Sequence, residues 1–292
     1  MASEFVHVSV LRDELVGGLG IKSGGHYLDV TLGGGGHTEA ILQALPDVRV
    51  TGVDRDGMAI AAASERLKEF ANRLTIVRSN FAEFQPMQQK FDGIIADLGV
   101  SSAQFDQGDR GFSFRLDAPL DMRMDQRQKL SAAEIVNRYD EKALADIFYE
   151  YGEERLSRKI AKKIVEKRPI TTTKELEEIV FYTYHPKARK GRLHPATKVF
   201  QALRIAVNGE LDALKDLLEK APQWLNPGGK IGIISFHSLE DRIVKNTFRG
   251  HDLLRVLTKK PITATDAEID QNPRARSAKL RFAELKEIEE QE

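Results

Sequence analysis

Three acids, each in or at the end of a short apolar run, carry the first chemistry legible in this chain. Asp29 lies in Tyr27-Leu28-Asp29-Val30, ahead of Gly33-Gly34-Gly35-Gly36-His37; Asp54 closes Val48-Arg49-Val50-Thr51-Gly52-Val53; Asp97 closes Phe91-Asp92-Gly93-Ile94-Ile95-Ala96. A glycine run lets a ligand lie against bare backbone. Thr38-Glu39-Ala40-Ile41-Leu42 then reads as the opening of a helix whose first N–H groups point at an anionic part. Asp54 follows the glycines by about twenty residues, where an acid in a doubly wound sheet accepts both hydroxyls of a ribose. The chemistry indicated is the binding of a nucleoside-bearing ligand.

Two cofactor classes fit such a bend. The dinucleotide fingerprint G-x-G-x-x-G needs a third small residue, yet the required place holds Thr38 or Glu39, depending on which glycines are counted. The string Asp29-x-Thr31-x-Gly33-x-Gly35 instead resembles the D-x-G-x-G-x-G loop of S-adenosylmethionine-dependent methyltransferases, with threonine at the first glycine. An acid before the loop suits a ligand that carries an ammonium and a sulfonium. S-adenosyl-L-methionine is the expected cofactor, and a nicotinamide cofactor the rival.

Asp97 leaves its strand at the edge where open α/β sheets bind ligands. With the carbonyl of Leu98 it can accept hydrogen bonds from an amine being methylated; the alternative is that it caps the next turn. Phe81 follows the apolar run Leu74-Thr75-Ile76-Val77, at the sheet end that lies over a cofactor's base. In Phe236-His237-Ser238-Leu239-Glu240-Asp241-Arg242, His237 is a candidate base or substrate contact, and Ser238 with Asp241 has capping-box spacing.

The elements that must position these residues alternate strand and helix, which predicts an α/β fold with a doubly wound, mostly parallel sheet. Trp224-Leu225-Asn226-Pro227-Gly228-Gly229-Lys230-Ile231 resembles the turn before the fifth strand of class I (Rossmann-like) methyltransferases. The runs Leu253 to Leu257 and Ala278 to Ala283 suit a closing antiparallel edge. The alternation is interrupted between, which predicts a discontinuous methyltransferase domain at 1–105 and 196–292 and an inserted helical domain at 106–195.

The 292 residues balance 44 Lys and Arg against 44 Asp and Glu, so any attraction to nucleic acid must be local. The absence of cysteine excludes disulfides, thiolate metal sites and cysteine nucleophiles. There is no metal-ligand cluster and no apolar run of membrane-spanning length, so a soluble, cytoplasmic protein is expected.

Within the insertion, Arg110-Gly111-Phe112-Ser113-Phe114-Arg115 interleaves rings and guanidinium groups. Such a string either stacks on unpaired bases or plugs a crevice beside a core, and composition favours the plug. From Arg155 to Lys198 there are thirteen Lys or Arg against four Glu, the chain's strongest sign of nucleic acid. Lys187, Arg189, Lys190 and Arg192 fall on a loop suited to gripping a phosphate backbone.

Over nearly its full length the chain resembles the bacterial 16S ribosomal RNA cytosine-N4 methyltransferase family, RsmH (MraW). The strings that carry the resemblance include Gly34-Gly35-Gly36-His37, Val53-Asp54-Arg55-Asp56, Asp97-Leu98-Gly99-Val100-Ser101-Ser102-x-Gln104 and Arg110-Gly111-Phe112-Ser113-Phe114. Asp121-Met122-Arg123-Met124-Asp125, His194-Pro195-Ala196-Thr197, Ser235 to Arg242 and Asn272 to Ser277 complete the set. The resemblance implies that Gly34, Gly35, Gly36, His37, Asp54, Phe81, Asp97 and Gln104 contact the cofactor. It implies a cytidine of the decoding region, within the small ribosomal subunit, as substrate. Ala103 stands where the family commonly has proline before that glutamine.

Overall fold

The computed structural model describes residues 9–99, 108–191 and 193–287. In chain order the elements begin with α1 (Arg12–Leu19), β1 (His26–Asp29), α2 (Gly36–Ala44), β2 (Arg49–Asp54), α3 (Gly57–Arg66), β3 (Leu74–Arg78) and β4 (Phe91–Asp97). Among the described residues five α-helices follow: α4 (Ala132–Arg138), α5 (Glu141–Glu150), α6 (Ser157–Glu166), α7 (Thr173–Thr183) and α8 (Thr197–Asn208). The chain then adds α9 (Glu210–Trp224), β5 (Leu225–Ser235), α10 (Ser238–Gly250), β6 (Leu254–Val256), α11 (Asp266–Gln271) and β7 (Lys279–Leu285). Two compact units result. One holds the chain up to Gly99 and from Leu211 onward, the other Val100 to Glu210.

The first unit is built on a seven-stranded sheet of order β3-β2-β1-β4-β5-β7-β6. Strands β1 to β5 pair in parallel, and β7 runs antiparallel between β5 and β6, the closing edge expected from the two terminal apolar runs. The central strands read as continuous apolar runs because both faces are covered. Leu28, Ile94, Ile231 and Ile233 bury one face against Leu214, Leu217, Leu218 and Trp224. Tyr27, Val50, Ile95 and Ile234 bury the other against Leu15, Leu19, Ile41 and Phe282.

Register brings the acids together. Asp29 is level with Gly52 of β2 and with Ile95 of β4, so Asp54 and Asp97 each end their strands two residues beyond it, on one edge. Leu32 N–H continues the ladder to Val53 O (2.9 Å) and Val30 N–H to Ile95 O (3.0 Å), so the chain after Asp29 descends between its two neighbours. A pleated strand advances about 3.3 Å per residue, which sets these carboxylates within one small ligand's length of one another.

The cap of α10 lies one residue earlier than its spacing predicted. His237 is the N-cap, with Nδ1 accepting from Glu240 N–H (3.4 Å), while Glu240 Oε2 accepts from Phe236 N–H (2.8 Å) and His237 N–H (3.3 Å). Asp241 is committed elsewhere: it accepts from Arg281 (2.7 Å) and Lys279 (3.2 Å) of β7. Arg281 is almost wholly buried, so its charge needs that carboxylate more than the helix end does.

In the second unit, Phe148, Ile160, Ile164, Leu176, Val180 and Leu203 form the centre of a helical core. Helix α6 points Ile160, Ala161 and Ile164 inward and leaves Arg158, Lys159, Lys162 and Lys163 exposed. The boundary differs from the expected 195: α8 belongs to this unit. Asn208 ties it there, accepting from Met124 N–H (2.8 Å) and donating to Met122 O (2.8 Å). The helical spacing that runs from Val199 to Leu218 breaks at Gly209, whose φ of 60° is the left-handed conformation that ends α8.

Candidate active site

The glycine bend joins β1 to α2 and carries the first part of the site. Gly35 adopts φ 81°, and a Cβ there would lie 2.8 Å from Leu67 Cδ1, so only glycine fits. At Gly34 a Cβ would meet none of the described residues within 4 Å, so among them the backbone is bare on its open side. Gly33 N–H donates to Asp54 Oδ2 (2.8 Å) and Asp56 N–H to Asp54 Oδ1 (2.8 Å), which locks the acid against the bend. Burial pushes the Asp54 carboxyl up, and these two amides oppose the rise.

Asp29 is buried beneath the bend. It accepts from Thr38 Oγ1 (2.7 Å) and from Thr31 N–H (3.1 Å), fixing the first turn of α2 to the end of β1. Burial raises its pKa from the ordinary 3.8 to about 6, with the Thr38 hydroxyl and then His37 pulling it back. The folded protein therefore holds this proton more tightly than the unfolded chain does. The penalty for ionising it is absent below about pH 4, grows as pH rises towards 6 and is complete above that. Asp29→Asn is expected to remove the penalty, so the parent should lose about 3 kcal/mol relative to the variant between about pH 4 and pH 7. Urea unfolding at each pH measures this, and a difference that does not change with pH would refute it.

Asp97 sits at the end of β4 with its backbone N–H donating to Thr31 Oγ1 (2.6 Å). The turn that follows Asp97 runs into residues 100–107, which lie outside the described residues. Asp97 Oδ2 lies 3.4 Å from His37 Nε2, with His37 only 6% exposed and Asp97 28%. Among the described residues, Asp97 Oδ1 and both ring nitrogens of His37 are buried without a hydrogen-bond partner. Buried polar atoms of this kind mark a surface shaped for a polar ligand. Carboxylates on one sheet edge, a bare backbone at Gly34 and unsatisfied atoms at Asp97 and His37 together fit a cationic nucleoside cofactor such as S-adenosylmethionine. Phe81 is half-buried just past β3, packed against the cluster that includes Leu28 and Val53.

Sequence reasoning missed the two threonines that hold this arrangement, Thr31 and Thr38. Thr31 was visible as a hydroxyl residue where the related loop has glycine; its use, as the acceptor that fixes Asp97, needs β1 and β4 to be neighbours. His237 was a candidate base. In the structure its Nδ1 accepts from Glu240 N–H, and Nε2 lies 3.2 Å from Glu240 Oε1 but, among the described residues, is buried without a hydrogen-bond partner.

The aromatic and basic candidates of the second unit divide. Arg110 and Phe112 were placed among possible RNA contacts, and the structure corrects both: they are 3% and 6% exposed. Arg110 donates to the carbonyls of Arg123 (2.7 Å) and Met124 (3.2 Å), and Phe112 joins the helical core. They form the plug that their composition favoured. Phe114 is half-buried and stacks on His194 with centroids 4.7 Å apart, whereas Arg115, Lys187 and Lys190 are exposed. Arg189 is half-buried, bonded to the carbonyls of Tyr184 (3.0 Å) and Tyr182 (3.3 Å). Gln104 and Arg192 lie outside the described residues, as do Val100 to Ala103.

The strand order with its antiparallel β7, the glycine bend and the acid at the end of β2 define a class I, S-adenosylmethionine-dependent methyltransferase. The chain matches the profile of the MraW methylase family over residues 4–286, and it belongs to that family. It is 77% identical over 290 residues to a protein of Picosynechococcus named ribosomal RNA small subunit methyltransferase H, covering 99% of this chain and 100% of the relative. Proteins of the same name from Trichormus variabilis (61% identical; 97% of this chain, 92% of the relative) and Gloeothece citriformis (60%; 97% and 95%) are also similar. Among the described residues no helix is long and apolar enough to cross a membrane.

Proposed function

We propose that this chain transfers a methyl group from S-adenosyl-L-methionine to the exocyclic N4 of an unpaired cytidine in the decoding region of 16S ribosomal RNA. The observation that carries the reading is the Asp97 carboxylate. It sits at the ligand edge of the sheet, fixed through its backbone by Thr31, with one oxygen unsatisfied. The names of the similar proteins supply the substrate class.

The cofactor supplies an electrophilic methyl group. The bend at Gly34 to His37 holds its methionyl end, Asp54 its ribose and Phe81 its base, with Gln104 completing the set. Asp97 and the carbonyl of Leu98 accept hydrogen bonds from the cytosine amine. That amine is a poor nucleophile, because its lone pair is delocalised into the ring. Acceptors that localise the pair and hold N4 in line with the methyl lower the barrier by alignment and by preorganised charge. A strong base is unnecessary, since the methylated nitrogen loses its proton readily. His237 accordingly serves as the cap of α10, not as a base. The base must leave its stack to reach such a site, so the RNA is engaged where it is unpaired. Lys187, Lys190, Arg115 and their neighbours supply phosphate contacts.

The test is methyl incorporation from labelled cofactor into small ribosomal subunits, naked 16S ribosomal RNA and duplex DNA, side by side. Label confined to N4-methylcytidine in the ribosomal substrates is the expected result. Incorporation into DNA alone would overturn the substrate, and stabilisation by NAD(H) but not by S-adenosylhomocysteine would overturn the cofactor.

A further inference from the structure

At the end of α7 the chain exposes a large ring in an unusual setting. Tyr182 is 68% exposed. The Arg189 guanidinium lies 5.0 Å from its ring centroid and 5.0 Å from that of Phe181. Two carbonyls, those of Tyr184 and Tyr182, pin that guanidinium in place, so it is not free to swing away. Behind it the rings continue inward. Phe181 stacks on His194 (5.6 Å, 16°), His194 on Phe114 (4.7 Å, 26°), and Phe114 meets the buried Phe200 edge-on (5.1 Å). Phe181 in turn meets Tyr182 edge-on (5.4 Å, 89°), so a chain of ring contacts anchored in the core at Phe200 ends in solvent at Tyr182.

The charges around the open end are uncompensated. Among the described residues no carboxylate pairs with Lys187, Arg189 or Lys190. The nearby Glu177 is engaged by Lys174 (2.7 Å) and His194 (3.3 Å). A rigid ring beside unpaired cations suits a strand whose bases stack and whose phosphates are anionic; base–aromatic stacking is tolerant of sequence, because every base has a π-face. A duplex offers no free base face to such a ring.

We propose that Tyr182, backed by Arg189 and flanked by Lys187 and Lys190, is the platform on which one unpaired base of the substrate RNA stacks. This rests on the reading that the substrate is RNA. The role assigned to Tyr182 is a binding contact. Stacking and charge then separate experimentally. Removing the ring lowers affinity at every salt concentration, whereas removing a lysine also flattens the salt dependence.

The experiment uses the full chain and a fluorescently labelled single-stranded RNA of about 16 nucleotides, the upper range of common single-strand site sizes. Tyr182→Ala is expected to weaken binding by about tenfold with the salt slope unchanged, and Tyr182→Phe to bind within about twofold of the parent. Lys187→Ala with Lys190→Ala is expected to reduce the slope by about one to two. Parental affinity in Tyr182→Ala would overturn the proposal, as would a Phe variant as weak as the Ala variant. Methylation of small ribosomal subunits by the parent is measured in parallel. An active parent with an indifferent Tyr182→Ala refutes the platform alone, while a parent that neither binds nor methylates RNA removes the functional reading and the platform with it.

Discussion

Asp97→Ala is expected to lower methyl transfer by about a thousandfold or more in turnover, while RNA binding stays within about twofold of the parent. The size follows from the role. A preorganised acceptor at the reacting group contributes several kcal/mol to the transition state and little to ground-state binding, and removing one such group from other sites costs ~10²–10³ in turnover. The fold should survive. Thr31 holds Asp97 through the backbone N–H, which alanine retains. Asp97→Asn keeps one carbonyl oxygen but loses the charge beside His37, and an intermediate loss is expected. Single-turnover methylation with saturating cofactor separates the chemical step from cofactor binding. An unchanged rate in Asp97→Ala would remove this residue from the mechanism; a parallel collapse of stability and RNA affinity would make it structural.

The second large effect is on the cofactor. Gly34 and Gly35 are adjacent and chemically identical, yet alanine should act on them through different physics. At Gly34 a new methyl meets no atom of the described residues within 4 Å, so Gly34→Ala should melt within about a degree of the parent while binding S-adenosylhomocysteine at least about tenfold more weakly. The methyl then occupies the space where a ligand approaches bare backbone. At Gly35 the φ of 81° and Leu67 at 2.8 Å place the cost on the fold itself: Gly35→Ala should lose about 1–2 kcal/mol or more of stability before any ligand is considered. Calorimetric titration and thermal melts of both variants give the two numbers. Unaltered affinity in Gly34→Ala would mean that the ligand does not approach the bend.

Most of the first unit was legible because its signals are local. Apolar runs carrying Asp29, Asp54 and Asp97 and the glycines after the first of them each announce a strand end within a few residues, whereas Pro227-Gly228-Gly229, expected as a turn before the fifth strand, falls within β5 at a shift in its register with β4. The antiparallel closing pair was legible for the same reason. The cap of α10 was not, because two overlapping boxes fit its sequence. The choice between Ser238 with Asp241 and His237 with Glu240 was made by Arg281, a residue some forty positions away that needs the Asp241 carboxylate. The end of the insertion was misplaced for a similar reason. Periodicity carries straight from Val199 to Leu218, and only Gly209 and the bonds of Asn208 to Met122 and Met124 reveal that α8 belongs to the helical unit.

By itself the amino-acid order determined the class of fold, the glycine bend and the acids that accompany it, since each depends on backbone propensities and spacing within one strand–turn–helix unit. Which side chains remain available for chemistry was decided only in three dimensions. Arg110 and Phe112 have the composition of a nucleic-acid contact and are spent on a core, while Tyr182, which no motif singled out, stands exposed over a pinned guanidinium. Burial and hydrogen-bond partnership arise from contacts distant in sequence, and it is those contacts that bring Thr31 to Asp97 and leave one carboxylate oxygen without a partner.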